Sequence, residues 1–185
     1  MRKPAKQRAQ IIREMTDVFR ENGYDGTTLS KLMQRTGLER ASLYHYFPGG
    51  KTAAAEAVLE DVLEQLSENV LATLTSDDPP DVRLTRMLDA TSKFYNCGND
   101  LCFVSIFAIG ADSESLSNSL RSAVATWLTS LEATLSEAGR ANAKELANAA
   151  LSCIQGGLVL SVAQSDPTPF QYALQYLRSA MSTSS

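Results

Sequence analysis

The sequence has one histidine, one tryptophan and three cysteines in 185 residues, and each scarcity excludes something. A lone histidine cannot supply a multi-histidine metal site or the acid-base pair of most hydrolytic mechanisms, so no catalytic residue, metal ligand or cofactor is expected. An odd number of cysteines argues against a secreted disulfide scaffold and fits a reducing compartment. No run approaches the ~18 uninterrupted apolar residues of a membrane-spanning helix. The basic stretch from Met1 to Arg13 lacks the apolar core of a signal peptide. The expectation is a cytoplasmic protein with no membrane partner. Strand-like alternation, internal repeats and low-complexity tracts are also missing, apart from a Ser/Thr-rich tail after Met181.

What is present suffices to fold, with 44% hydrophobic and 21% charged residues standing far from the composition of disordered chains. The net charge of −4 conceals an asymmetry. Residues 1–51 carry ten Lys or Arg against five Asp or Glu, and the remainder seven against sixteen. A basic head of net +5 on an acidic body of net −9 suits a head that meets a polyanion and a body that avoids one.

The hydrophobic period predicts an all-α chain of about nine helices. Ile11, Ile12, Met15, Val18 and Phe19 share one face of a helix from about Ala5 to Asn22, stopped at Gly23. Thr27 is the expected N-cap of a short second helix ended by Gly37, and a third runs from Glu39 to Phe47 before the break at Pro48-Gly49-Gly50. A long helix from Lys51 to Leu74 follows. Further helices are expected at Asp81–Tyr95, Leu101–Ile109, Ser115–Ala138, Asn142–Gln164 and Thr168–Met181. The predicted division is a head over 1–50 and a body over 51–185.

Two short helices joined around a glycine and buttressed by a preceding amphipathic helix form a helix-turn-helix, whose second helix enters the major groove. Leu43 and Phe47 serve the core of that second helix, which leaves Arg40, Ala41, Ser42, Tyr44 and His45 for DNA. Ala41 and Ser42 are small enough for close approach, while Arg40 suits guanine edges or phosphate and Tyr44 suits phosphate. Lys51 and the first amides of the long helix suit a further phosphate. Thr27, at the start of the second helix, is also placed in the expected DNA-facing set.

The stretches Gly23-Tyr24-Asp25-Gly26-Thr27-Thr28-Leu29 and Thr36-Gly37-Leu38-Glu39-Arg40-Ala41-Ser42-Leu43-Tyr44-His45-Tyr46-Phe47, with Lys51, resemble the tetracycline-repressor (TetR) family of bacterial regulators. The resemblance covers about the first 60 residues. It implies a DNA-binding head, a ligand-sensing helical body and a homodimer formed by the last two long helices, with Thr28, Arg40, Tyr44, His45 and Lys51 as DNA contacts. The chain looks most like the branch with Phe-Pro-Gly-Gly-Lys after the recognition helix, similar to drug- and flavonoid-responsive repressors. Three features depart from the family pattern: Glu39 in place of a Ser or Thr cap, the order His45-Tyr46, and a Pro48-Gly49-Gly50 turn one residue longer than usual.

In the body, Phe94, Phe103, Phe107 and Trp127 are candidates to line an effector cavity or to fill core, and Cys97 and Cys102 stand beside them. The few charges nearby point to a neutral or weakly charged effector. A stripe of small residues, Ala147, Ala150, Gly157 and Ser161, runs beside Ile154 and Leu158. Together with the apolar face of Phe170, Leu174 and Leu177 it reads as a two-fold helical interface, or as packing within the chain.

The leading expectation is a transcriptional repressor that binds a palindromic operator on double-stranded DNA as a homodimer and is released by a small hydrophobic or aromatic effector. The alternatives are a helical adaptor without DNA binding and a regulator switched by Cys97 and Cys102.

Overall fold

A computed structural model describes residues 7–110 and 113–182. Among the described residues the chain is helical and carries no strand. Nine α-helices run in order: α1 Arg8–Gly26, α2 Leu29–Thr36, α3 Arg40–Tyr46, α4 Lys51–Asn69, α5 Pro80–Phe94, α6 Phe103–Gly110, α7 Glu114–Glu137, α8 Ala143–Gln164 and α9 Thr168–Ser182. Short 3-10 turns at Leu71–Thr75 and Asn96–Gly98 complete the list of elements. The expected start of the first helix at Ala5 lies outside the described residues. The chain divides into two compact units, one of residues up to 62 with 106–120 and one of 63–105 with 121–185.

In the first unit, Ile11, Met15, Phe19, Leu32, Leu43 and Phe47 form a dry interior. Gly23, at φ +68 and ψ −179, interrupts the helix in a conformation open to glycine, yet the helix resumes for a further turn to Gly26. That extra turn corrects the cap assignment. Thr27 closes α1 with its amide on the Tyr24 carbonyl, and its buried hydroxyl donates to the Gly23 carbonyl at 2.7 Å. Thr28 is the N-cap of α2, its Oγ1 accepting from the Lys31 amide at 3.3 Å. Gly37, at φ +67, ends α2. Two cations hold α2 to α1: Lys31 Nζ donates to the Gly26 carbonyl at 2.9 Å and to Asn22, and Arg35 pairs with Glu21 and with Asp17 at 3.5 Å. These two are therefore engaged in the scaffold. Phe107 joins this unit, its ring 5.4 Å from that of Phe19 and 6.0 Å from that of Tyr24.

In the second unit, the long fourth helix stops at Asn69 and tightens into the 3-10 turn, whose Leu74 carbonyl accepts from Arg83 at 2.8 Å and from Thr134 at 3.3 Å. Buried Arg140 donates to the Met181 and Ala138 carbonyls and to Asp81. A buried guanidinium needs partners of this kind around it. Helices α8 and α9 pack closely because Gly157 lacks a side chain: a Cβ there would stand 3.0 Å from Phe170 Cα and 3.1 Å from Ala173 Cβ. Ser161 adds to the seam, its Oγ accepting from the Phe170 amide at 3.1 Å.

Candidate nucleic-acid interface

The face that α3 presents follows from which of its residues the core consumes. Leu43 and Phe47 are 0% and 2% exposed, while Arg40, Ala41, Ser42, Tyr44 and His45 all face solvent. Glu39 occupies the N-cap without a side-chain cap bond, so the α3 amides of the first turn lack a side-chain partner there. The guanidinium of Arg40 lies 5.9 Å from the centroid of the Tyr44 ring. Tyr44 in turn lies over Gly50, where φ is +64 and an added Cβ would stand 3.6 Å from the ring. A residue with a side chain would be strained at that φ. Thr28 is exposed beside this face, and Thr27 is not: burial and its bond to Gly23 take Thr27 out of the expected DNA-facing set.

The turn after α3 leads directly into α4. The Gly50 carbonyl accepts from the Ala54 amide at 3.0 Å, so the amides of residues 51–53 precede the first intrahelical bond and can meet an anion. Half-buried Lys51 is aimed by a platform that sequence reasoning missed. Its Nζ lies 4.2 Å from the centroid of Tyr24, and the Tyr24 hydroxyl shares a 3.2 Å hydrogen bond with Thr52 Oγ1. A cation over an aromatic face is held without losing its charge. The only available signal was Tyr24 itself, just after the Gly23 stop. The expected DNA set thus contracts to Thr28, Arg40, Ala41, Ser42, Tyr44, His45 and Lys51, and gains Tyr24 as a support.

The expected effector residues do not all gather. Cys102 and Trp127 belong to one apolar cluster, with Phe94 packed against it and its ring 5.0 Å from that of Tyr95. Phe103 is buried but is not a member, Phe107 packs against Phe19 and Tyr24, and Cys97 is exposed. All three cysteines are free thiols. Burial pushes the Cys102 thiol up from its ordinary value, against hydrogen bonds from Tyr95, Val104, Ser105 and Gln155 that pull it down. It is a neutral group at pH 7, which does not favour a thiolate-based switch.

The interface expected of the last two helices also needs correction. Ala147, Ala150, Ile154, Gly157, Leu158, Ser161, Phe170, Leu174 and Leu177 are all buried within the chain. Gly157 and Ser161 of the small-residue stripe sit at the α8–α9 seam, and the eight residues of this set besides Gly157 are each at most 5% exposed. What α8 and α9 do leave outside is a different apolar set: Val159, Leu160 and Val162, with Tyr172 and Tyr176 at 67% and 63% exposure.

Comparison with known proteins agrees with these features. Residues 11–58 match the family model described as bacterial regulatory proteins, tetR family, and residues 83–176 match the transcriptional regulator LmrA/YxaF-like C-terminal domain. Among curated proteins, the HTH-type transcriptional regulator LmrA of Bacillus subtilis (strain 168) is 26% identical over 88% of this chain and 89% of its own. Among solved structures, a TetR transcriptional regulator from Legionella pneumophila superposes with a TM-score of 0.82 at 19% identity, covering 97% of this chain and 99% of that one. A cysteine mutant of the TetR family transcriptional regulator CifR, complexed with 26bp double-strand operator DNA, superposes at a TM-score of 0.77 and 20% identity over 96% of this chain and 98% of that one.

Proposed function

Because the chain belongs to the TetR family of bacterial transcriptional regulators, we propose that it is a repressor that binds a palindromic operator as a homodimer in the cytoplasm and is released by a small, neutral, apolar effector. The head over residues 1–50 reads DNA, and the body over 51–185 dimerises and senses. The observation that carries the reading is the division of labour in α3, where Leu43 and Phe47 anchor the helix and five consecutive or near-consecutive residues face solvent. Arg40 reads a base edge or phosphate, Ala41 and Ser42 allow close approach, and Tyr44, Lys51 and the first amides of α4 hold backbone phosphates. The run Phe47-Pro48-Gly49-Gly50-Lys51 supports a place in the branch that carries this sequence after its recognition helix.

A single head spans one half-site, so operator recognition needs two. Val159 and Leu160 on α8, with Tyr172 and Tyr176 on α9, supply a two-fold contact: they are large hydrophobic side chains left exposed by the two helices. Effector and operator are coupled by differential affinity, the effector preferring the body shape in which the heads no longer match the half-sites. The test is a gel shift on DNA upstream of the protein's own gene at 150 mM salt, with random duplex as competitor. Specific binding at least a thousandfold tighter than non-specific is expected. Equal affinity for both duplexes rejects the reading.

A further inference from the structure

The seat under Lys51 is built from three aromatic rings, and one of them comes from outside residues 1–50. Gly23 breaks α1 immediately before Tyr24, so the short turn that carries Tyr24 does not take its direction from the helix behind it. The ring is then located by what packs on it. Phe19 of α1 lies nearly parallel to it, with centroids 6.3 Å apart and planes 14° apart. Phe107 of α6 meets it edge-on at 6.0 Å and 71°, and packs 5.4 Å from Phe19 as well. Against this cluster the Lys51 Nζ stands 4.2 Å from the Tyr24 centroid, while the Tyr24 hydroxyl bonds Thr52, the next residue of α4. A free lysine loses rotamer freedom when it binds a phosphate. One already seated over a ring has lost much of that freedom beforehand and keeps its charge for the phosphate.

We infer that Phe107 is a positioning residue for the Lys51 phosphate contact, acting through the Tyr24 ring. This rests on the reading of the α3–α4 surface as the DNA interface and adds to it a residue of α6 that is itself buried, at 1% exposure. An edge-on aromatic pair and a cation over a ring are each worth a small factor, so losing Phe107 weakens binding by about two- to tenfold and does not abolish it. A phosphate carries no base identity, so the loss falls alike on every duplex.

The test is a double-mutant cycle on the full chain. Wild type, Phe107→Leu, Lys51→Ala and the double variant are each titrated by fluorescence anisotropy, over a series of salt concentrations, with duplex from upstream of the protein's own gene and with random duplex. Phe107→Leu is expected to weaken binding to both duplexes by about two- to tenfold and to flatten the salt slope toward that of Lys51→Ala. Added to Lys51→Ala, it is expected to change neither affinity nor slope. A residue that only fills core weakens binding equally with or without Lys51, and that result, or no loss in either background, overturns the inference. The same cycle run at half-buried Tyr24 guards against a Phe107 variant that does not fold: Tyr24→Leu is expected to repeat the pattern, and Tyr24→Phe, which keeps the ring, to bind within about twofold of wild type. Tyr24→Phe as weak as Tyr24→Leu also overturns it. Wild-type protein that binds neither duplex fails the DNA reading, whereas wild-type binding with no coupling between position 51 and positions 24 and 107 fails the inference alone.

Discussion

Leu158 and Leu160 stand two positions apart on α8 and are predicted to respond in opposite ways to the same substitution. Leu158 is 0% exposed and Leu160 is 52% exposed. Leu158→Glu forfeits the burial of a whole leucine, about 1.5–3 kcal/mol, and places a carboxylate with no partner inside, at several kcal/mol more. Against a total stability of about 5–15 kcal/mol that leaves a chain largely unfolded at 37 °C. Leu160→Glu costs the isolated chain no more than about 0.5 kcal/mol, as for other surface changes. In the proposed dimer, each copy loses the remaining half of a leucine's burial, about 1 kcal/mol, so about 2 kcal/mol for two copies. Two desolvated carboxylates facing each other raise the total to at least about 4 kcal/mol, roughly a thousandfold in dimer dissociation constant. Sedimentation velocity at micromolar protein, with urea denaturation alongside, separates the two effects. A Leu160→Glu variant that stays dimeric, or a Leu158→Glu variant that folds as a stable monomer, refutes the assignment of inner and outer faces.

Arg40→Ala is expected to weaken specific operator binding by about 1–3 kcal/mol and to relax discrimination at one base pair if the guanidinium reads a base edge; fluorescence anisotropy on operator and random duplex measures both, and no loss of either excludes Arg40 from the interface. Lys51→Ala is expected to weaken binding to all duplexes alike and to make the salt dependence shallower by roughly one unit, and an unchanged slope contradicts the phosphate contact. Burial holds the Cys102 thiol above its ordinary value of 9.0. The unfolded thiol therefore ionises first, so stability is fully present below pH 9.0 and declines as the pH rises above it. Urea midpoints at pH 7 and pH 10 compared between wild type and Cys102→Ala check this, and an equal decline in both contradicts it.

The helices were legible because amphipathic period and turn chemistry both point to the same boundaries, as at Gly37 and at Pro79-Pro80, the N-cap and first residue of α5. The exposed face of α3 was legible for the same reason: Leu43 and Phe47, four apart, leave only one side free. The Thr27–Thr28 boundary was not. Either threonine makes a good cap, and only the extra turn past Gly23 decides which one finishes α1 and which one starts α2. The partner-facing side of α8 was hidden by its composition, since its most apolar 18-residue stretch has a mean hydropathy of 1.6 and both buried Leu158 and exposed Leu160 belong to it. Small residues then mark the closest packing, which here is with α9 of the same chain. Aromatic residues on separate helices carry no signal of which ones meet, and Phe107 went to a different core from Trp127.

Footprinting on DNA upstream of the protein's own gene tests the central claim most directly. Nuclease protection by the wild-type protein is predicted to cover two half-sites related by a dyad, their centres one helical turn or a whole multiple of about 34–36 Å apart, with Arg40→Ala losing both halves together. A single unpaired protected half, or protection that follows no sequence at all, contradicts the account of two α3 helices read into successive major grooves by one dimer.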